Sequence, residues 1–410
     1  MVTRRDRRLR TALTVLVAWG ALAGAALVGA APASGVQRVR TIAPGVQYSE
    51  FDISANAGVT RAHLLSIDLR NRHVRVDLLH PGVVAARATV SRLVEARGAV
   101  AGINGDFFNI SEAQHPGVDA TGSPVGPEIA GGRSLKAAVP RGQRFGPALP
   151  PGAGTEDVLG VGTDRTARLD RLFLSASVST PEGRLQLRGL NQYALPVGSI
   201  GAYTADWGSV SRARATCGTD TNRAAPCSRD TREVVIRNGR VVATANGPGS
   251  GPIAAGTTVL LGREAGAQQL RKLFKGESVQ VHHRLVAASS RVPYVFAIGG
   301  CPVLRHGTPL SGLDNGTSTV RTAVGIADGG HRLLLLALDG ARDYRSGLTV
   351  AEVASALRNL GATEGFNLDG GGSTTMVTRT GHQSAASVRN HPSAGAERPV
   401  PDGIGVFSGA

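Results

Sequence analysis

The 410-residue chain is 41% apolar and 18% charged, so it can bury a core and is not a wholly disordered polymer. Only residues 11–37 lack charge for long enough to span a bilayer, which excludes a polytopic membrane protein. The net charge of +15 is almost all Arg, with Lys136, Lys272 and Lys275 the only lysines, and such a skew gives no ground to expect a nucleic-acid partner.

Arg4, Arg5, Arg7, Arg8 and Arg10 head an uncharged run from Thr11 to Ala31, and Ala31-Pro32-Ala33 gives the small-x-small pattern of a signal peptidase site. Residues 1–33 therefore read as an export signal, with a secreted or cell-envelope protein beginning near Ser34 and not held in the membrane after cleavage. An uncleaved anchor is the alternative, disfavoured because the run is rich in Ala and Gly and only weakly apolar. The two Arg pairs fit a twin-arginine signal only loosely. Removing five Arg and one Asp takes the net charge from +15 to +11, a surface that suits an anionic polymer such as a phosphorylated cell-wall glycan.

The rest, residues 34–410, is predicted to be one α+β domain of mixed sheets with flanking helices. LLSIDL and VRVDLL are β-type runs, and Val90 to Arg97 has helical spacing ended by Gly98. Residues 111–165, rich in Gly, Pro and turn formers, read as a long loop around a site or an insertion. From about 165 to 290 come RLFLSASV, RLQLRGL, EVVIRNGRVVATA and SVQVHHRLV, an antiparallel β middle block in which Asn238-Gly239 marks a type I′ hairpin. Cys217 and Cys227, ten apart in a polar stretch, could close a small disulfide loop, leaving Cys301 unpaired in a Gly-rich turn.

The C-terminal block carries the most chemistry. Arg321–Ala327 and Leu333–Leu338 are apolar strands joined by Asp328-Gly329-Gly330, a hairpin that sets Arg321 opposite Leu338 and beside Asp339. Thr349 and Glu352 form a capping box opening a helix whose apolar positions are Val350, Val353, Leu357 and Leu360. Gly361 ends it, and the short strand GFNL runs into Asp369-Gly370-Gly371-Gly372-Ser373. This strand–helix–strand unit should bring Asp339, Asp369 and Arg321 to one sheet edge, where open sheets build binding sites. The plainer alternative is that both Asp-Gly pairs are only turn formers. GAVAGINGD at 98–106 and GATEGFNLD at 361–369 share five offsets, so Asn104 with Asp106 and Asn367 with Asp369 look like one helix–strand–turn device used twice. The triple glycine can form a backbone nest for an anion, although neither a Walker loop nor a dinucleotide fingerprint is present.

INGDFF at 103–108, GG-x-PVL at 299–304, RTAVGI at 321–326, SGLTVAEVASAL at 346–357, NLDGGGSTTM at 367–376 and ERPVPDGIGVF at 397–407 occur in one order. Together they resemble the phosphodiester glycosidase family, over roughly residues 45–410. The resemblance implies hydrolysis of a sugar-1-phosphodiester and carries over Asn104, Gly105, Arg321, Asp339, Asp369, Gly370, Gly371, Gly372, Ser373 and Arg398. With Asp106 and Asn367 from the repeated device, these are the candidate site residues. The mechanism that fits is C–O cleavage at the anomeric carbon: Asp369 or Asp339 activates water or attacks the sugar, while Arg321 or Arg398 and the glycine turn hold the departing phosphate. That chemistry requires no cofactor, though it leaves room for a divalent cation. Two other classes compete. One is a metal-dependent phosphodiesterase built from Asp106, Asp339, Asp369 and a His such as His282, His283 or His306, for which no ligand spacing is present. The other is a non-catalytic wall-glycan-binding protein using the same groove.

Overall fold

The computed structural model describes residues 39–380 and 385–409, so the expected export signal at 1–33 lies outside the described residues. Alternation along two long strands explains the central architecture. In Arg332–Leu338, Leu334, Leu336 and Leu338 enter one apolar cluster, while Leu333, Leu335 and Ala337 enter another. Gly58–Asp68 divides in the same way, with Ala62 and Leu64 on one side and Leu65 and Ile67 on the other. A strand buried on both faces reads as a continuous apolar run, which is why LLLLAL shows no period of two.

These strands sit in an antiparallel eight-stranded sheet of order Arg40–Ala43, Val46–Ala55, Gly58–Asp68, Arg332–Leu338, Thr322–Ala327, Glu364–Asn367, Cys301–Arg305 and Thr308–Pro309. One face is covered by helix Val350–Asn359 through Val350, Val353, Ala354 and Leu357. Thr349 and Glu352 form the reciprocal capping box at its start. Replacing Leu357, fully buried there, with Ala should cost about 2–5 kcal/mol. The other face packs on a second antiparallel sheet of order Ser387–Val388, Met376–Thr378, Ala101–Asn104, Gly403–Ser408 and Val74–Leu79, through Ile103, Met376, Ile404 and Val406. Beyond that sheet lies helix Val90–Arg97, seated by Val90, Leu93 and Val94 against Val377 and Phe407. The result is a helix–sheet–sheet–helix sandwich.

Thr322–Ala327 lies between Arg332–Leu338 and Glu364–Asn367 and pairs antiparallel with each, so the strands linked by helix Val350–Asn359 are not neighbours. The carbonyl of Arg321 accepts the Leu338 N–H at 2.9 Å.

Two further sheets complete the molecule. Asn238 and Gly239, both at positive φ (49° and 73°), join Thr231–Arg237 to Arg240–Ala245 as the hairpin pattern predicts. The strands of the middle stretch are shared between two sheets. The long strand Ala167–Thr180 pairs with Asp157–Gly162, which in turn pairs with Tyr294–Gly299. The stretch 111–165 is not one long loop: it contains Glu128–Ala130, Arg133–Lys136 and Asp157–Gly162. Their shortness and Gly-rich flanks hid them from a periodicity argument. No helix among the described residues is long and apolar enough to cross a membrane.

Candidate functional site

The two halves of the repeated device meet. Asn104 ends strand Ala101–Asn104 and Asn367 ends Glu364–Asn367, and the turns that follow interlock. The Asp369 N–H donates to the Gly105 carbonyl at 2.9 Å, and Asn104 Nδ2 donates to the Asp369 carbonyl at 2.7 Å. Asn104 Oδ1 in turn accepts from the Thr322 hydroxyl at 2.8 Å and the Thr375 N–H at 3.1 Å. One buried amide therefore staples three segments and fixes where Asp369 stands. Asn367, fully buried, donates to the Leu368 carbonyl at 3.1 Å.

The Asp369 carboxylate is half-buried. It accepts from the Ser373 hydroxyl at 2.6 Å and from the Gly370 N–H at 3.0 Å, and Arg398 Nη1 donates to the Ser373 oxygen at 3.2 Å. Burial raises its pKa to about 6, with the Asp106 charge adding to the rise and Ser373 and Arg398 opposing it. Arg398 also lines a surface groove of about 580 Å³ together with Arg87, Ile110, Thr121 and Pro399. The site thus has a carboxylate titrating near neutrality, a hydroxyl bonded to it, and two guanidinium groups on the adjoining groove.

The glycine turn works differently from the expected nest. The N–H groups of Gly370, Gly371, Ser373 and Thr374 are donated to Asp369, Val320, Gly370 and Gly371 respectively, so they do not converge on an anion. The glycines permit close approach instead. A Cβ on Gly370 would stand 2.6 Å from the Val320 carbonyl, and one on Gly372 would stand 2.3 Å from the Arg398 guanidinium.

Arg321 is brought next to this turn by its backbone, but its guanidinium donates to the carbonyls of Leu348 at 3.0 Å and Thr317 at 2.8 Å. Asp339 is 1% exposed and surrounded: His63 Nε2 and His391 Nδ1 each lie 2.9 Å from it, and the Ala341 and His391 N–H groups donate to it. Burial would raise its pKa, but these four partners hold it well below the usual carboxylate range. His63 and His391 were not legible as partners, since each lies in a different segment and no spacing links them.

Asp106 is also buried. Its carboxylate accepts the Phe107 N–H at 2.7 Å and the Gly126 N–H at 2.6 Å, while its own N–H donates to Asp402 at 2.8 Å. Around it lie Glu128, Lys136 and Asp402, none more than 2% exposed. Burial raises Asp106 to about 6 and lowers Lys136 to about 8. Asp402 is pushed well above its ordinary value by burial and by the Glu128 and Asp106 charges, so the Glu128–Asp402 pair holds a proton at neutral pH. Asp402 Oδ2 has no donor facing it, as expected of an oxygen that carries that proton.

Cys217 and Cys227 form a disulfide, and Cys301 is free and buried, its thiol pushed up to about 12 by burial. Among the described residues, the one His/Cys/Asp/Glu group compact enough for a metal is His115 with these bonded cysteines. Asp106, Asp339 and Asp369 do not gather into such a group among the described residues, and His306 stands 93% exposed beside Glu364.

Two solved structures share the fold. A protein from Synechocystis superposes with a TM-score of 0.68 at 20% identity, over 91% of this chain and 64% of that one. A protein from Burkholderia pseudomallei gives 0.64 at 23% identity, over 85% and 74%. The zebrafish N-acetylglucosamine-1-phosphodiester alpha-N-acetylglucosaminidase catalytic domain gives 0.43 at 16% identity, over 91% and 88%. No curated protein sequence matches the chain. The family model for phosphodiester glycosidases matches residues 230–407, the stretch that supplies Asp369, its glycine turn, Ser373 and Arg398.

Proposed function

We propose that the protein is an exported hydrolase that cleaves a sugar-1-phosphodiester in a phosphorylated glycan or cell-wall polymer, breaking the glycosidic C–O bond. The observation that carries this reading is the chain of contacts from Asp369 through the Ser373 hydroxyl to Arg398, which lines a groove together with Arg87. In the reaction the bond from the anomeric carbon to the phosphate oxygen breaks, and its electron pair leaves with the phosphate. Arg398 and Arg87 hold that anion. Asp369, ionised above about pH 6, takes the proton of the attacking water or attacks the anomeric carbon itself. The anomeric form of the first product separates these two duties. Asn104 and Gly105 fix the Asp369 backbone, and the glycines let Arg398 close over Ser373. Arg321 braces the strand entering the turn, and Asp339 holds the loop around His391.

Hydrolysis in ¹⁸O-labelled water tests the bond. Label appearing in the sugar supports C–O cleavage, whereas label in the phosphate means that a P–O bond breaks and overturns the assignment. The substrates to screen first are sugar-1-phosphodiesters and phosphorylated wall polymers.

A further inference from the structure

A second surface, built from other residues, has the form of a polymer-binding trough. In the three-stranded portion made by Gly183–Gln186, Ala167–Thr180 and Gln280–Ala287, the central strand reads RLFLSASVST. Its inward residues Leu174, Ala176 and Val178 join an apolar cluster, so strand alternation turns Phe173, Ser175, Ser177 and Ser179 to the other face, where Arg184 covers Ser177 and donates to its hydroxyl at 2.8 Å. The flanking strands place long side chains beside this row of serines. Gln186 and His282 stand opposite Ser177, Arg184 opposite Ser179, and Arg284 opposite Ser175. A row of small side chains between two rows of long ones makes a trough, here of about 520 Å³. At its end Phe173 and Val286 face each other across the strands, 47% and 39% exposed.

Three properties distinguish this face from an ordinary solvated one. Its outward residues carry Arg184, Arg284 and His282 and no acid; the nearest in sequence, Glu182, sits at the turn. It displays an exposed aromatic ring that the fold does not need. It also extends over seven residues from Phe173 to Ser179, roughly 20 Å of strand. We infer that this trough binds an extended anionic glycan, a phosphorylated polysaccharide chain. Arg184 and Arg284 pair with its phosphates, Ser175, Ser179 and Gln186 bond its hydroxyls, and Phe173 packs on a sugar face. Charge complementarity selects this occupant over a neutral polymer. The inference goes beyond the catalytic reading and does not depend on it, because none of these residues contacts Asp369.

The test is affinity electrophoresis of the intact protein through gels containing phosphorylated dextran or plain dextran. Phosphorylated dextran should retard it more strongly than plain dextran. The Arg184→Gln/Arg284→Gln double variant should weaken that binding by about tenfold or more. The control Arg237→Gln/Arg358→Gln, which removes equal charge from exposed positions elsewhere, should bind like the wild type. Phe173→Ser should weaken binding to both polymers. Equal retardation of both double variants, equal retardation by both polymers, or none by either would overturn the inference. Hydrolysis of a small sugar-1-phosphodiester reads the catalytic proposal separately. Inactivity combined with Arg-dependent retardation would remove that proposal and leave this one standing.

Discussion

The Glu128–Asp402 pair makes a quantitative statement about stability. Both carboxyls are buried, at 2% and 0% exposure, and they share a proton at neutral pH because burial raises each. In the unfolded chain the same proton leaves near pH 4. The folded state therefore binds one more proton than the unfolded state between about pH 5 and 7. Stability is complete below about pH 4 and falls as pH rises, by ~1.4 kcal/mol per unit, or ~3 kcal/mol between pH 5 and 7. For a unit of roughly 370 residues the melting entropy is ~0.8 kcal/mol/K, so this proton is worth ~3–4 °C of Tm. The double change Glu128→Gln/Asp402→Asn is the informative one, because burial alone keeps Glu128 raised. The amide oxygen at 402 keeps the acceptor for the Asp106 N–H, an amide N–H takes the place of the shared proton, and neither side chain can titrate. Calorimetry of both proteins at pH 5 and pH 7 should show the variant gaining ~3–4 °C on the wild type across that interval. Melting curves that stay parallel would show that the pair holds no proton, and would refute the reasoning.

Other consequences follow from the Asp369 site. As a base with a pKa of about 6, Asp369 should give kcat/KM an acid limb near that value, visible in a pH–rate profile. Gly372→Ala places a methyl 2.3 Å from the Arg398 guanidinium, a group that can swing aside, so Tm should hold while kcat/KM drops by roughly 10-fold or more. Arg398→Met should raise KM for phosphodiester substrates while circular dichroism stays unchanged, since its hydrogen bond to Ser373 lies at the groove edge. Thiol labelling of denatured, unreduced protein should mark Cys301 alone, and marking of all three cysteines would contradict the disulfide.

What the sequence disclosed follows from what is local. The capping box at Thr349, the Asn238-Gly239 hairpin and the doubled Asn/Asp turns are short-range patterns with mechanical causes, and each is visible without a fold. That the two turns interlock through Asn104 and Asp369 required knowing that two different sheets face each other. Asp339 was readable as a strand-end acid, but its partners His63 and His391 are set by packing across 276 and 52 residues. The cluster of Asp106, Glu128, Lys136 and Asp402 was hidden for a stronger reason. Charged residues normally mark the surface, and these four, from separate segments, meet only once the chain is folded. The N–H groups of Gly370, Gly371, Ser373 and Thr374 are directed to Asp369, Val320, Gly370 and Gly371, a point of geometry that composition does not carry.

The central claim is that Asp369 performs the chemistry, and its isosteric neutralisation tests this most directly. Asp369→Asn keeps the volume and the carbonyl that Asn104 holds, and removes only the charge. Turnover of a sugar-1-phosphodiester should fall by about two to four orders of magnitude, with Tm and substrate affinity close to those of the wild type. Near-normal turnover, or loss of activity accompanied by loss of the folded state, would show that Asp369 is a turn residue and contradict the account.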